Sequence, residues 1–390
     1  MGTRIVILTC DGLPIFSTAF HTDPLVFPGL GLLHATLASF EDCSTKLSYI
    51  KTSDSHLFFH NFSSHDNGIR MLFSVPTTLD NDSAEQILTF LIPIFHLFLG
   101  KLISQPVSSS ASRIERLKSL FATTQPLLHF IFITSNVPLA NLPFFLQSCL
   151  CSPYISPALV ASSDTRIEQL LLDLSMFDKS NNFLFSCMVS TNYLSGINWP
   201  VILTATKGCL QVNMSIVSTL IVHCFATLGL SSFGVMTVNF DRKYNVYISK
   251  IGDGYYLVSV GLVPIEQRLD TFINSTINLF QNFENWEILF DAAKSLPVNF
   301  ELKSDVKMCW FDVLEGCRLL THSPQCFNDI LNILKVFPSS ISVGDHENRL
   351  ILGNSFGIVL SNELSGFVDS NILKYFNSFA SSNRDLFVAE

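Results

Sequence analysis

The residues of this chain that could do metal or nucleophilic chemistry are a run of histidines and a close pair of cysteines. They are His56, His60, His65, Cys149 and Cys151. The alternating pattern predicts a strand over residues 56–61, in which His56 and His60 share a face but lie about 13 Å apart, too far to bind one zinc ion. In a helix they would form an i, i+4 pair, but the pattern favours the strand. Because the two cysteines lack a second pair of ligands, we expect no metal site.

The motifs of nucleotide-binding and hydrolytic enzymes are incomplete or missing. Gly29-Leu30-Gly31 lacks the third glycine of a dinucleotide-binding loop, and it begins a helix in an antiparallel setting. The sequence contains neither a Walker Gly-Lys-Ser/Thr motif nor a Gly-x-Ser-x-Gly elbow. We therefore expect no catalytic residue and no bound cofactor, and we do not expect the isolated chain to be an enzyme.

Length and charge narrow the class of protein. A chain of 390 residues is long enough for two or three domains. A net charge of -9 argues against nucleic acid as a partner, because a nucleic-acid interface needs clustered Lys and Arg. The apolar run at residues 5–8 is too short for a signal peptide, and none of the ten cysteines forms a Cys-x-x-Cys pair. These features predict a cytoplasmic protein with reduced thiols.

Three stretches resemble membrane segments but are predicted to be buried helices and loops instead. Residues 119–163 and 208–240 contain no charged residue, but the first has five prolines and the second many hydroxyl side chains. The apolar run 87–99 has only 13 residues and contains Pro93 and His96, whereas a bilayer requires about 20 residues. We expect no transmembrane span, with an integral membrane protein as the less favoured alternative.

The N-terminal region alternates between strands and helices. Asp11-Gly12 has the chemistry of a tight turn between two strands. After one helix, three closely spaced strands are predicted at residues 46–51, 56–61 and 69–75, and their short connections indicate an antiparallel meander. Two helices follow. The first has Asp82 or Ser83 as its N-cap and ends near residues 100–101. The second has Ser112 in a capping box with Glu115.

The first predicted helix carries two apolar stripes, and one of them is a candidate partner interface. The stronger stripe consists of Leu30, Leu33, Leu37 and Phe40. The milder stripe consists of Leu32, Ala35 and Ala38. We expect the larger residues to face the sheet. The candidate interface is then Leu32, Ala35 and Ser39 on the helix with Ser48 and Ile50 on the neighbouring strand. The alternative is that the second stripe contacts other helices of the same domain.

This order of elements resembles the first longin domain of the Fuzzy, Mon and Hermansky–Pudlak family. The resemblance rests on the order strand, strand, helix, three strands, two helices over about 130 residues, and on the phrases GLPIF, FPG and RIERLKSLF. It implies an α/β (α+β) fold of three longin-like domains, each an antiparallel sheet flanked by helices. The domains would cover residues 1–132, 161–300 and 301–390, with a Pro-rich linker at 133–160.

The rest of the chain has the same succession of elements. In the second domain, helices are predicted at residues 165–177, 215–228 and 264–280, and strands at 234–240, 244–251 and 255–260. In the third domain, strands are predicted around residues 349–360 and helices at 325–336 and 371–379.

The resemblance implies a non-enzymatic adaptor that pairs with an Inturned-like longin protein. The pair would recruit or activate Rab-type small GTPases in ciliogenesis, planar cell polarity and vesicle or protein transport. Nucleotide-exchange activity would belong to the complex alone. The resemblance further implies peripheral contact with phosphoinositide membranes and a position at the ciliary base, the basal body and the cytoskeleton. The alternative within the same family is a Mon-like or Hermansky–Pudlak-like endosomal subunit for GTPase exchange.

Overall fold

The computed structural model describes most of the first 280 residues and four strands near the C-terminus. The described ranges are 3–20, 27–42, 47–62, 68–105, 111–143, 146, 165–192, 197–229, 233–262, 269–280, 286–288, 309–312, 316–321, 348–352 and 357–361. The chain divides into two compact units, Met1–Pro143 with Asn239–Arg242, and Phe144–Val238 with Lys243–Glu390. The helices predicted at 325–336 and 371–379 and the domain boundary at residue 300 lie outside the described residues.

The first unit contains a five-stranded antiparallel sheet in the order β2-β1-β5-β4-β3. Its strands are β1 (Arg4–Thr9), β2 (Pro14–Ala19), β3 (Tyr49–Lys51), β4 (Ser55–Asn61) and β5 (Ile69–Pro76). The predicted hairpin and meander are therefore confirmed, although β3 is three residues long instead of six. Gly12 has φ +82° in the first turn, a conformation that glycine adopts without steric cost.

Helices cover both faces of this sheet. They are α1 (Phe27–Asp42), α2 (Asn81–Leu99) and α3 (Ala111–His129). On one face, the half-buried Leu33 of α1 packs on a cluster that includes Val6 and Leu72. On the other face, Phe121 of α3 lies 5.9 Å from Phe16 and 5.6 Å from Phe95, measured between ring centroids. The β-sheet is therefore the central layer of three.

The helix starts differ from the predicted ones. The N-cap of α2 is Asp80 and not Asp82 or Ser83, because the Asp80 carboxylate accepts hydrogen bonds from both the backbone N–H and the hydroxyl of Ser83, each at 2.8 Å. Helix α3 begins at Ala111, one residue before the predicted cap Ser112. The end of α2 is as predicted, since Gly100 follows its last residue with φ +56°.

The second unit contains a second five-stranded antiparallel sheet, in the order β7-β6-β10-β9-β8. Its strands are β6 (Phe185–Ser190), β7 (Val201–Ala205), β8 (Phe233–Asn239), β9 (Lys243–Gly252) and β10 (Tyr255–Gly261). The helices of this unit are α4 (Thr165–Asn181), α5 (Met214–Leu228) and α6 (Leu269–Leu279). The three predicted strands correspond to β8, β9 and β10 within one or two residues, whereas β7 was not predicted.

Helices also lie on both faces of the second sheet. Phe225 of α5 packs edge-on against Tyr256 of β10, with ring centroids 5.1 Å apart. Phe272 of α6 packs against Tyr247 of β9 at 5.0 Å and against Phe177 of α4 at 6.1 Å. Tyr247 lies opposite Ser259 in the register of β9 and β10, so its side chain is on the face away from Tyr256. Both five-stranded sheets thus have helices on each side.

The strands described near the C-terminus form a third antiparallel sheet. They are β11 (Cys309–Asp312), β12 (Gly316–Thr321), β13 (Asn348–Leu352) and β14 (Gly357–Ser361). Their order is β12-β11-β14-β13. The strands predicted around residues 349–360 are therefore confirmed as an antiparallel pair.

One helix in the described part of the chain is long and apolar enough to cross a membrane by length and composition. It is α2 together with the short helix that follows, Asn81–Leu102, and 44% of its apolar window is buried inside the protein. It exceeds the 13-residue apolar run 87–99 because the helix also includes residues 81–86 and 100–102. Ile87, Leu91 and Phe95 are fully buried. Core helices of soluble proteins share this property, so the finding is weak evidence for a span.

Candidate interaction surface

Helix α1 is anchored to the sheet by part of its stronger apolar stripe. Leu37 is only 4% exposed, and Leu33 packs on the cluster formed by Val6, Leu8, Leu57 and Leu72. Phe40 does not follow the predicted orientation, because it is 41% exposed. The side chain of Leu30 lies outside the described residues. The inward face of α1 is therefore narrower than the helical periodicity predicts.

The outward face of α1 carries the three helix residues of the candidate interface. Leu32 is 72% exposed, and Ala35 and Ser39 are exposed as well. The Ser39 hydroxyl donates to the Ala35 carbonyl at 2.9 Å, and the Thr36 hydroxyl donates to the Leu32 carbonyl at the same distance. Because these hydroxyls are satisfied within the helix, a partner can cover them without supplying new hydrogen bonds.

Strand β3 forms the edge of the sheet beside this helix. Ile50 packs against the same apolar cluster as Leu33, and Ser48, just before the strand, is exposed. On either side of β3, the Phe59 N–H donates to the Ser48 carbonyl and the Thr52 N–H donates to the Ser55 carbonyl, both at 2.9 Å. In an antiparallel ladder alternate residues bond to the same neighbour. The backbone groups of Tyr49 and Lys51 therefore point away from β4.

A group of unpaired polar atoms lies at this same edge. The Tyr49 hydroxyl and both ring nitrogens of His56 are buried and have no hydrogen-bond partner among the described residues. Six buried side-chain nitrogen and oxygen atoms of the described residues lack a hydrogen-bond partner, and these are three of them. The Tyr49 and His56 rings meet edge-on with centroids 5.6 Å apart. Since buried polar groups are nearly always paired, this cluster requires an explanation.

Of the histidines and cysteines considered as metal ligands, His56 and His60 are in the described part of the chain, and both lie on β4. His60 contacts Phe62, with ring centroids 4.9 Å apart, and burial and then the nearby His96 lower the pKa of His60. His65, Cys149 and Cys151 lie outside the described residues. Within the described part of the chain, no group of three or more His, Cys, Asp or Glu side chains could hold a metal ion.

A buried carboxylate in the second unit was not predicted. Asp178 of α4 accepts hydrogen bonds from the hydroxyls of Ser186 and Thr206, and Ser259 lies 2.7 Å from Ser186, measured between hydroxyl oxygens. Burial raises the pKa of Asp178, and the hydrogen bonds from Ser186 and Thr206 oppose this rise. Asp178 follows the buried Leu174 by four residues. This helical spacing was the signal in the sequence that it faces the core.

Other ionisable side chains of the second unit are buried and suited to packing. Burial lowers the pKa of His223 to about 4 and raises the pKa of the Cys224 thiol to about 12. Burial, followed by a hydrogen bond with Cys209, raises the pKa of Cys187. A thiol needs its thiolate form to react, so these buried cysteines are chemically inert at neutral pH.

No protein-family model matches the chain, and no curated protein sequence is similar to it. The fold and the surface define a mixed α/β protein with two antiparallel five-stranded sheets, each flanked by helices. In the first sheet, α1 carries exposed side chains and β3 is the edge strand among the described residues, and the two elements pack on one apolar cluster through Leu33 and Ile50.

Proposed function

We propose that this chain is a non-enzymatic adaptor built from three longin-like domains and that it acts as a Fuzzy-like protein. It pairs with an Inturned-like longin protein. The pair recruits or activates Rab-type small GTPases in ciliogenesis, planar cell polarity and vesicle or protein transport. Its site of action is the cytoplasm around the ciliary base and the cytoskeleton, with peripheral contact to phosphoinositide membranes.

The observation that carries the proposal is the strand order shared by the two five-stranded sheets. In each sheet the first two strands stand at one end, a helix follows the second strand, and the last three strands form a meander. Among the described residues, the order β12-β11-β14-β13 agrees with the first, second, fourth and fifth strands of the same plan. This repetition supports three units of one kind, which is the organisation that the family resemblance implies.

The candidate interface is suited to protein contact and not to covalent chemistry. Leu32, Ala35 and Ser39 present one apolar and two small side chains, none of which titrates. Small residues let a partner helix approach closely, and an open strand edge accepts an added strand. Nucleotide exchange by a complex acts by favouring the nucleotide-free state of the GTPase, so a shaped surface is sufficient and no catalytic acid or base is needed.

Affinity purification from ciliated cells, followed by mass spectrometry, tests this proposal. We expect the wild-type chain to recover an Inturned-like protein and Ala35→Arg to lose it while keeping its thermal melting temperature. Thr89→Arg is the matched control, because Thr89 is exposed on α2, a helix on the opposite face of the sheet. Recovery of a vesicle-trafficking longin protein instead would favour the Mon-like alternative, and recovery of no longin protein would refute the proposal.

A further inference from the structure

Three side chains with hydrogen-bond donors lie together at the open edge of the first sheet. Tyr49 and Lys51 are on β3, and His56 stands directly opposite Lys51 on β4. Alternate residues of one strand and opposite residues of paired strands share a face, so all three side chains project to the same side of the sheet. This is the side away from Ile50 and the cluster beneath α1.

None of these three groups is satisfied within the described residues. The Tyr49 hydroxyl and the His56 imidazole are buried without partners, and His56 is only 5% exposed. Lys51 is exposed and makes no ion pair there. A hydroxyl, an imidazole and an ammonium group together offer three donors, and an ionised carboxylate is the acceptor-only side chain that can receive all of them.

The backbone geometry indicates how such a carboxylate would arrive. The N–H and C=O groups of Tyr49 and Lys51 point away from β4, as derived above from the hydrogen bonds of Ser48 and Thr52. An extended chain that pairs with β3 places every second side chain on the face that carries Tyr49 and Lys51. Tyr49 is only half-buried, and no described strand lies beyond β3. A strand added to β3 therefore lies directly beside Tyr49, whose ring contacts the rings of His56 and Phe58.

We propose that the β3 edge binds an extended peptide strand whose carboxylate side chain is received by Tyr49, His56 and Lys51. This inference deepens the proposed function and rests on it for the assignment of this edge as the partner interface. It specifies the partner strand, which carries Asp or Glu at a position facing the α2 and α3 side of the sheet. The unpaired atoms of Tyr49 and His56 then acquire their hydrogen bonds only in the complex.

Titration calorimetry on the full-length chain tests this inference with a designed probe. The probe is a nine-residue peptide of alternating Thr and Val with blocked ends and one central Glu, compared with the same peptide carrying Gln. We expect the Glu peptide to bind at least about ten-fold more tightly, because hydrogen bonds to a charged group are stronger than neutral ones. Tyr49→Phe and Lys51→Met each reduce this preference, and the control Lys101→Met leaves it unchanged.

Tyr49→Phe is a suitable variant because it removes a hydroxyl that makes no hydrogen bond within the described residues, so folding does not depend on it. Equal affinity for the two peptides, binding of neither peptide, or a preference that survives both substitutions would overturn the inference. Acetate ion that binds as tightly as the Glu peptide would also overturn the inference, since strand pairing would then contribute nothing to the affinity.

If the Glu peptide does not bind while an Inturned-like protein still binds, only this inference fails. If the peptide binds and that protein does not, only the proposed function fails.

Discussion

Truncation of Leu37 and truncation of Leu32 should affect the stability of the first unit very differently. Leu37 is 4% exposed against the sheet, whereas Leu32, on the same helix, is 72% exposed. Replacing a buried leucine by alanine removes its transfer free energy and leaves a cavity, at a cost of about 2–5 kcal/mol. Full burial of a leucine is worth about 1.5–3 kcal/mol, so Leu32, which is about one quarter buried, should lose less than about 1 kcal/mol.

Hydrogen–deuterium exchange is the appropriate assay, because all three tryptophans, Trp199, Trp286 and Trp310, lie in the second unit and do not report on the first. The slowest amides of β1 and β5 report the free energy of opening of the first sheet. Leu37→Ala should accelerate their exchange by about thirty-fold or more, and Leu32→Ala by less than about six-fold, at 1.4 kcal/mol per factor of ten. Equal acceleration by the two substitutions would refute the assignment of the inward and outward faces of α1.

Three further predictions concern buried polar groups. His56→Phe should stabilise the first unit by about 1–3 kcal/mol, because it removes buried nitrogens that lack hydrogen-bond partners. Slower hydrogen–deuterium exchange of the β4 amides would show this stabilisation, and faster exchange would contradict it. Burial lowers the pKa of His223 from 6.5 to about 4 in the folded protein. The contribution of neutral His223 to the free energy of unfolding is therefore complete above pH 6.5 and is lost as the pH falls, by about 3 kcal/mol at pH 4. Urea unfolding followed by tryptophan fluorescence should show this loss in the wild type and a flatter pH profile in His223→Gln. Asp178→Ala should destabilise the second unit by about 2–4 kcal/mol, because the Ser186 and Thr206 hydroxyls lose their acceptor. An unchanged midpoint of urea unfolding would show that these hydrogen bonds do not hold α4 to the sheet.

Local sequence chemistry predicted the elements of the first unit well. Gly12 allowed the hairpin turn to be recognised because its conformation suits glycine, and short polar connections predicted the antiparallel meander. The choice among cap residues could not be made, because residues 80–83 include several side chains able to cap a helix and only the backbone geometry selects Asp80. Strand β7 was missed because Val201–Ala205 is a short apolar run, which periodicity alone does not distinguish from a buried helix segment.

The candidate site was only partly predictable. The helical phase of α1 gave the outward directions of Leu32 and Ala35. It did not show that Phe40 is exposed. The helical phase gives the angular position of a residue around the helix axis and does not show whether the sheet extends far enough to cover that residue. The unpaired atoms of Tyr49 and His56 depend on pairing between β3 and β4, and a single strand pattern does not reveal which polar side chains become enclosed together.

The most direct test of an adaptor that binds through α1 and β3 is hydrogen exchange of the full-length chain with and without a recombinant Inturned-like partner. We expect new protection of the amides in α1 and of Tyr49 and Lys51, whose N–H groups point outward from the sheet in the free chain. Ala35→Arg should abolish this protection. Protection of other segments with no change in α1 and β3, or no protection at saturating partner, would contradict the account.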